Sequence, residues 1–152
     1  MVGSTSTAPG APASAPPTSV TVLVYSDDAR VREQIRLALG RRPAADLPEV
    51  SVFECATEPA VIAAMDKSAK DPNARIDLVI LDGEAVPAGG IGVARQLKDE
   101  IFHCPPLLVL TGRAQDGWLA TWARADAIVP HPIDPVRLAE LSASLLRARL
   151  AE

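Results

Sequence analysis

The sequence predicts a three-layer α/β domain in which five strands form a parallel sheet between two layers of helices. Five short apolar runs, rich in β-branched residues, alternate along the chain with five segments of helical periodicity. Runs such as VTVLVY and IDLVILD are almost continuously apolar, as strands covered on both faces must be. Strands and helices that alternate in this way favour parallel β-α units with right-handed crossovers.

The first β-α unit shows the pattern that the others repeat. Residues 20–25 form an apolar run that predicts a buried strand. Residues 29–40 follow with a helical period that places Val31 and Ile35 on one apolar face. Gly40 is typical of a helix end, so we expect the helix to stop there.

The remaining elements are predicted by the same criteria. Pro59, in the first turn of its segment, indicates a helix start, as does Asp134 in the N-cap position before Pro135. The predicted strands are 50–56, 76–82, 105–111 and 127–130, and the predicted helices are 58–69, 91–102, 116–125 and 134–150.

Composition limits the classes of function. The length of 152 residues and a hydrophobic share of 48% suit one domain with its own core. A net charge of −4 argues against a nucleic-acid surface. The sequence predicts neither a membrane span nor a signal peptide. Cys55 and Cys104 lack CxxC spacing, so we expect reduced structural thiols in a cytoplasmic protein.

The first 18 residues differ from the rest of the chain. They consist mainly of Pro, Ala, Ser, Thr and Gly, with no charged side chain and no apolar period. Such a segment buries too little surface to offset the entropy lost on ordering. We therefore expect a disordered tail at 1–18 and a folded domain at 19–152.

Polar side chains gather where the predicted strands end. In parallel α/β sheets, ligands bind beyond the carboxyl ends of the strands. Several of these side chains also have a purely structural explanation: a helix N-cap for Asp27 or Asp28, a turn for Asp82 and Thr111, or a hydrogen-bonded, half-buried histidine for His131. The residues at these ends are Ser26, Asp27, Asp28, Asp82, Thr111, Gly112 and His131.

The types of these residues indicate a particular chemistry. Carboxylates from two strands repel each other unless a cation lies between them, and oxygen ligands favour Mg²⁺. A carboxylate beside a metal can act as a nucleophile and form an acyl phosphate. Thr111 could then donate a hydrogen bond to the phosphoryl group. Gly112 leaves room for that group, and a cation on the fifth strand would balance its charge.

Four segments in this order, VLVYSDDARVR, LVILDGEAVPAGG, LLVLTG and IVPHPIDPVRL, resemble the receiver domains of bacterial response regulators over roughly residues 20–149. The resemblance implies a flavodoxin-like (βα)5 doubly wound sheet with strand order 2-1-3-4-5. It also implies Mg²⁺-dependent phosphoryl transfer from a sensor histidine kinase or a phosphotransfer protein to an aspartate. Such a domain is a phosphoacceptor, not an enzyme beyond its own phosphorylation and dephosphorylation.

The resemblance also implies residue roles. Asp82 is the phosphoacceptor, and the acidic pair after strand 1 holds the metal together with Asp82 and the backbone carbonyl of Glu84. Thr111 and Gly112 bind the phosphoryl group. His131 stands where the family has lysine, followed by a cis peptide bond before Pro132.

The acidic pair allows two alignments. Taken as written, Asp27 and Asp28 fill both metal-binding places. If Arg32 aligns with an arginine often found in helix 1, Ser26 replaces the first acid and Asp27 is the direct ligand. Asp27 is the preferred ligand in both alignments, and the role of Asp28 stays open.

The chain departs from the family pattern at the residues that respond to phosphorylation. Imidazole is shorter than a lysine side chain and changes its charge near neutral pH, so we expect a weaker, pH-dependent bridge from His131. Ile128 stands where many receivers have an aromatic residue, and Pro87 comes one residue late. Trp118 and Trp122, at i and i+4, could form a partner surface with Ile128 or simply pack in the helix.

Two functions remain open from the sequence. One is a single-domain receiver that accepts phosphate on Asp82 and signals through a partner protein. The alternative is a pseudo-receiver interaction module that does not use phosphorylation, favoured by the loss of lysine and of the switch aromatic. A third class, a metal-dependent phosphohydrolase, is disfavoured because the sequence offers no general-base constellation near the site. Since the sequence stops directly after helix 5, we expect output through a downstream protein or a homodimer. The resemblance implies that the face formed by helix 4, strand 5 and helix 5 makes such contacts.

Overall fold

The structure, a computed structural model, describes residues 18–113 and 116–152. The tail predicted at 1–18 lies outside the described residues except for Thr18. Five parallel strands form one sheet in the order β2-β1-β3-β4-β5, so the predicted flavodoxin-like topology is confirmed. The strands are β1 Ser19–Tyr25, β2 Glu49–Cys55, β3 Leu78–Asp82, β4 Leu107–Thr111 and β5 Ala127–Pro130. The helices are α1 Ala29–Leu39, α2 Glu58–Lys70, α3 Gly90–Glu100, α4 Gly117–Trp122 and α5 Pro135–Leu150.

Alternate residues of the central strands feed two separate cores, because successive side chains of a strand point to opposite faces. Val79 and Leu81 of β3 face the core that includes α2, α3 and α4. Leu78 and Ile80 face the core that α1 and α5 cover. Both faces of β3 and β4 are buried, which explains their continuously apolar sequences.

The register of the sheet brings the carboxyl ends of four strands together. Tyr25 lies opposite Leu81, Asp82 lies opposite Leu110, and Thr111 lies opposite Pro130. The residues that directly follow these strands therefore meet at one edge, as the sequence predicted.

Helix ends agree with the sequence where a capping residue determines them. The carboxylate of Asp134 accepts hydrogen bonds from the backbone of Val136 and Arg137, as an N-cap does. Two predicted ends were too late: α3 stops at Glu100 instead of 102, and α4 at Trp122 instead of 125. Ile101 has an extended backbone with φ −110° and ψ 118°, which ends α3. Arg124 has a φ of 64°, which a continuing α4 cannot adopt.

Within 18–113 and 116–152, no helix is both long and apolar enough to cross a membrane.

Candidate functional site

Asp82 lies at the centre of the site, with only 3% of its surface exposed. Its Oδ2 accepts a hydrogen bond of 2.7 Å from the hydroxyl of Ser26. Its Oδ1 accepts one of 2.9 Å from the backbone N–H of Glu84 and lies 3.2 Å from Nε2 of His131. Residues from three strand ends thus reach one buried carboxylate.

The two acids after β1 have different surroundings. Oδ1 of Asp27 accepts a hydrogen bond of 3.0 Å from the backbone N–H of Val86, in the loop that follows Asp82. Asp28 is the N-cap of α1, since its Oδ1 accepts a hydrogen bond of 2.9 Å from the backbone of Arg30. That bond and the Arg30 guanidinium hold the pKa of Asp28 below its usual range. The expected N-cap is therefore Asp28, and Asp27 is the acid turned towards the loop.

Arg32 fixes the backbone at the start of this region. Its guanidinium donates to the carbonyl oxygen of Ser26 at 2.6 Å and to the carboxylate of Glu54 at 2.9 Å. Only 16% of the Arg32 side chain is exposed. Together with the contact between Ser26 and Asp82, this geometry favours the alignment in which Ser26 stands in place of the first acid.

Thr111 is buried at the end of β4, beside β3, the strand that ends in Asp82. Its hydroxyl has no hydrogen-bond partner within the described ranges. Most buried polar side-chain atoms in proteins are hydrogen-bonded, so an unpartnered buried hydroxyl needs an explanation. A ligand oxygen arriving at this edge would supply the missing partner.

The side chain of Glu84 was missed by the sequence analysis, which used only its backbone carbonyl. A Cβ atom built on Gly112 would lie 2.5–2.6 Å from the carboxyl atoms of Glu84. The room that Gly112 leaves is therefore taken by this carboxylate. No pattern in the sequence predicts this contact, because it depends on the conformation of the loop after Asp82.

His131 follows directly after β5, at the edge of the sheet that carries Asp82. Its side chain is 23% exposed, and its backbone N–H donates to the carbonyl of Thr111 at 2.7 Å. The peptide bond before Pro132 is cis, as predicted. A second cis bond precedes Pro87, in the loop after the acceptor. That isomer was not predicted.

An open cleft of about 280 Å³ lies at this edge of the sheet, and it is lined by Asp27, Asp28, Val31, Asp82, Glu84, Gly112 and His131. Over 18–113 and 116–152, no three His, Cys, Asp or Glu side chains are grouped closely enough to hold a metal by themselves. Mg²⁺ does not require such a cage, because it keeps several waters and commonly binds one or two carboxylates. Asp27, Asp82 and the Glu84 carbonyl offer that kind of oxygen donor set.

A second feature lies on α4, where two tryptophans face solvent. Trp118 is 68% exposed and Trp122 is 54% exposed, so simple packing within the helix does not account for them. The guanidinium of Arg95, on α3, lies 4.5 Å from the Trp122 ring centre and donates to the Trp122 carbonyl. Ile128, the third predicted surface residue, is half-buried against the core.

Comparisons with known proteins give a consistent result. Two curated relatives, each described as an uncharacterized response regulatory protein of Mycobacterium tuberculosis, are 54% identical over 131 residues. The match covers 86% of this chain and 94% of each relative. No protein-family model matches the chain.

Solved structures show the same fold at low sequence identity. The chemotaxis response regulator CheY4 of Vibrio cholerae superposes with a TM-score of 0.67 and 19% identity, over 84% of this chain and 99% of its own. A CheY-like receiver domain protein of Methanospirillum hungatei has a TM-score of 0.62 and 20% identity, over 86% and 95%.

Proposed function

Because the chain belongs to the response regulators and has the fold of their receiver domain, we propose that it accepts a phosphoryl group on Asp82 in a two-component phosphorelay. The observation that carries the proposal is the buried hydroxyl of Thr111, which has no hydrogen-bond partner among the described residues and lies at the strand end next to Asp82. A phosphoryl group on Asp82 would give this hydroxyl an acceptor.

In the proposed reaction, a carboxylate oxygen of Asp82 attacks the phosphorus of a phosphohistidine on the donor. A P–O bond forms while the P–N bond breaks, and the imidazole keeps the electron pair and takes up a proton. The donor is a sensor histidine kinase or a phosphotransfer protein. Ser26 and the backbone of Glu84 hold the carboxylate in place, and Thr111 and His131 contact the transferred group.

Asp27, Asp82 and the backbone carbonyl of Glu84 would hold Mg²⁺, and Gly112 would border the phosphoryl group. Mg²⁺ would neutralise the charge that develops on the phosphoryl oxygens. Asp28 is a weaker candidate, because its carboxylate already caps α1 and pairs with Arg30.

Output is proposed to pass through the surface of Trp118, Trp122 and Ile128, to a downstream protein or a second copy of the chain. Receiver domains are signalling domains, not enzymes in the usual sense. We place the phosphorelay in the cytoplasm, and residues 19–152 form its receiver domain.

The test is intact mass after incubation with Mg²⁺ and acetyl phosphate. Wild type should gain one phosphoryl group, and Asp82→Asn should gain none. The two neighbouring acids provide a matched pair: Asp27→Asn should need more Mg²⁺, whereas Asp28→Asn should behave like wild type, since asparagine is also a good N-cap.

Two outcomes would count against the proposal. An equal mass gain in Asp82→Asn would mean that the acceptor is misassigned. If wild type gains no mass from acetyl phosphate or from a kinase, the phosphorylation-independent interaction module is the better interpretation.

A further inference from the structure

The loop after the acceptor, residues 83–89, is tied to the end of β1 by two hydrogen bonds. The hydroxyl of Tyr25 donates to the carbonyl oxygen of Ala88 at 2.6 Å. The backbone N–H of Val86 donates to Oδ1 of Asp27 at 3.0 Å. The loop therefore has one contact with a buried side chain and one with a carboxylate of the proposed metal site.

The Tyr25 hydroxyl does more than fill space. The residue is completely buried, and the aromatic ring alone would satisfy the core in which it lies. Buried tyrosine hydroxyls need a hydrogen-bond partner, and this one finds it in the loop, 63 residues away in sequence. Phenylalanine would occupy nearly the same volume but would leave the Ala88 carbonyl without this donor.

The hydrogen bond between Tyr25 and Ala88 also affects the proposed metal ligands. The loop carries Glu84, whose backbone carbonyl is one of them, and Val86, whose N–H orients the Asp27 carboxylate. Neither Tyr25 nor Ala88 lines the cleft. Holding the loop at Ala88 thus limits how far the two ligands can move relative to each other, without any contact between Tyr25 and the ion.

We propose that Tyr25 is a positioning residue for Mg²⁺. Its hydrogen bond fixes loop 83–89, so that the Asp27 carboxylate and the Glu84 carbonyl are arranged before the ion binds. The inference rests on the proposed function, because it concerns the same metal site. Preorganised ligands lose less conformational freedom on binding, so the effect should fall on affinity for the ion.

The test is Tyr25→Phe, measured in two ways. The first is a Mg²⁺ titration without phosphodonor, followed by the amide NMR signals of Glu84 and Val86. The second is the rate of phosphorylation by acetyl phosphate as a function of Mg²⁺ concentration. Ser142→Ala is a matched control: it removes a buried hydroxyl of α5 that has no hydrogen-bond partner in the described part of the chain.

We expect Tyr25→Phe to raise the Mg²⁺ dissociation constant about threefold to tenfold, the effect of one hydrogen bond. The phosphorylation rate at saturating Mg²⁺ should match that of wild type, because Asp82 and Thr111 are untouched. Ser142→Ala should leave both quantities unchanged. A merely structural role for the hydroxyl would lower stability without this separation of affinity from rate.

Two results would overturn the inference. One is an unchanged Mg²⁺ titration in Tyr25→Phe, and the other is a lower saturating rate with an unchanged Mg²⁺ dependence. Failure of the proposed function looks different: wild type itself would neither bind Mg²⁺ at these amides nor become phosphorylated.

Discussion

The hydroxyl of Ser26 donates a 2.7 Å hydrogen bond to Oδ2 of Asp82, and both residues are buried. In the alignment that this geometry favours, the neutral hydroxyl of Ser26 stands in place of the first acid of the pair. Two carboxylates at this distance would repel each other in the absence of a cation. With serine, the Asp82 carboxylate is held without that repulsion, but a metal site here would have one negative charge fewer.

The first prediction concerns this missing charge. Ser26→Asp should bind Mg²⁺ more tightly than wild type, by about tenfold for one added carboxylate near the ion. The variant should also be less stable without Mg²⁺ and regain stability when Mg²⁺ is added, since a ligand that binds only the folded state stabilises it. Thermal unfolding across a Mg²⁺ series measures both effects.

Ser26→Ala serves as the control, because it removes the hydrogen bond to Asp82 without adding charge. It should not bind Mg²⁺ more tightly. If Ser26→Asp also shows no gain in affinity, the metal does not bind beside Asp82.

The second prediction concerns Thr111. Thr111→Val replaces the hydroxyl by a methyl group of similar size, and the hydroxyl has no partner among the described residues. Stability should therefore be unchanged or slightly higher, because no hydrogen bond is lost. Phosphorylation should slow by about tenfold or more, the usual effect of removing one donor to a transferring group.

Thr111→Ser keeps the hydroxyl and should retain most of the phosphorylation rate. Unfolding temperature and the acetyl phosphate rate are measured for both variants. A clear loss of stability in Thr111→Val would show that the hydroxyl is already bonded in the resting protein, which would remove the main support for a phosphoryl site.

The third prediction concerns His131, whose Nε2 lies 3.2 Å from Oδ1 of Asp82. His131→Lys supplies a longer side chain with a permanent charge, which can bridge the acceptor and a phosphoryl oxygen. It should strengthen the conformational response to phosphorylation. The two tryptophans of the chain both lie exposed on α4, and the change in their fluorescence on phosphorylation is the quantity to measure.

His131→Gln, a neutral side chain of similar length, should give a smaller fluorescence change than wild type. An equal change in wild type and in both variants would mean that the imidazole has no part in the switch.

How far the site could be predicted depended on what fixes each residue. Asp82 and Thr111 end apolar runs and His131 follows one, and parallel strands bring such ends to one edge, so the sequence could predict that these three residues lie together. The contact of Glu84 with Gly112 and that of Tyr25 with Ala88 were not predicted. Both depend on the path of loop 83–89, which no periodic pattern in the sequence determines.

The fourth prediction concerns the Glu84 carboxylate that lies over Gly112. A negative charge at this place repels an approaching anionic phosphodonor, so Glu84→Gln should react faster with acetyl phosphate, by about threefold. The advantage should shrink in high salt, which screens exposed charges. Glu140→Gln, an exposed change of the same kind on α5, should have no effect.

A slower reaction in Glu84→Gln would point instead to a favourable role for the carboxylate, for example in holding a water of the Mg²⁺ ion. An unchanged rate would mean that the side chain leaves the cleft when the phosphodonor arrives.

The last prediction concerns the two cysteines, which are both free thiols. Burial raises the pKa of Cys55 to about 11, and burial also raises the pKa of Cys104. The thiolate is the reactive form, and at pH 8 a thiol with a pKa of 11 is only about 0.1% ionised. Since Cys55 is also 1% exposed, iodoacetamide should label it only after unfolding, whereas half-buried Cys104 should react slowly in the folded protein.

Intact mass in the presence and absence of urea measures this difference, and Cys104→Ser should show no labelling in the native state. Rapid labelling of native Cys104→Ser would mean that β2, the edge strand carrying Cys55, opens readily, because only opening can expose and ionise that thiol.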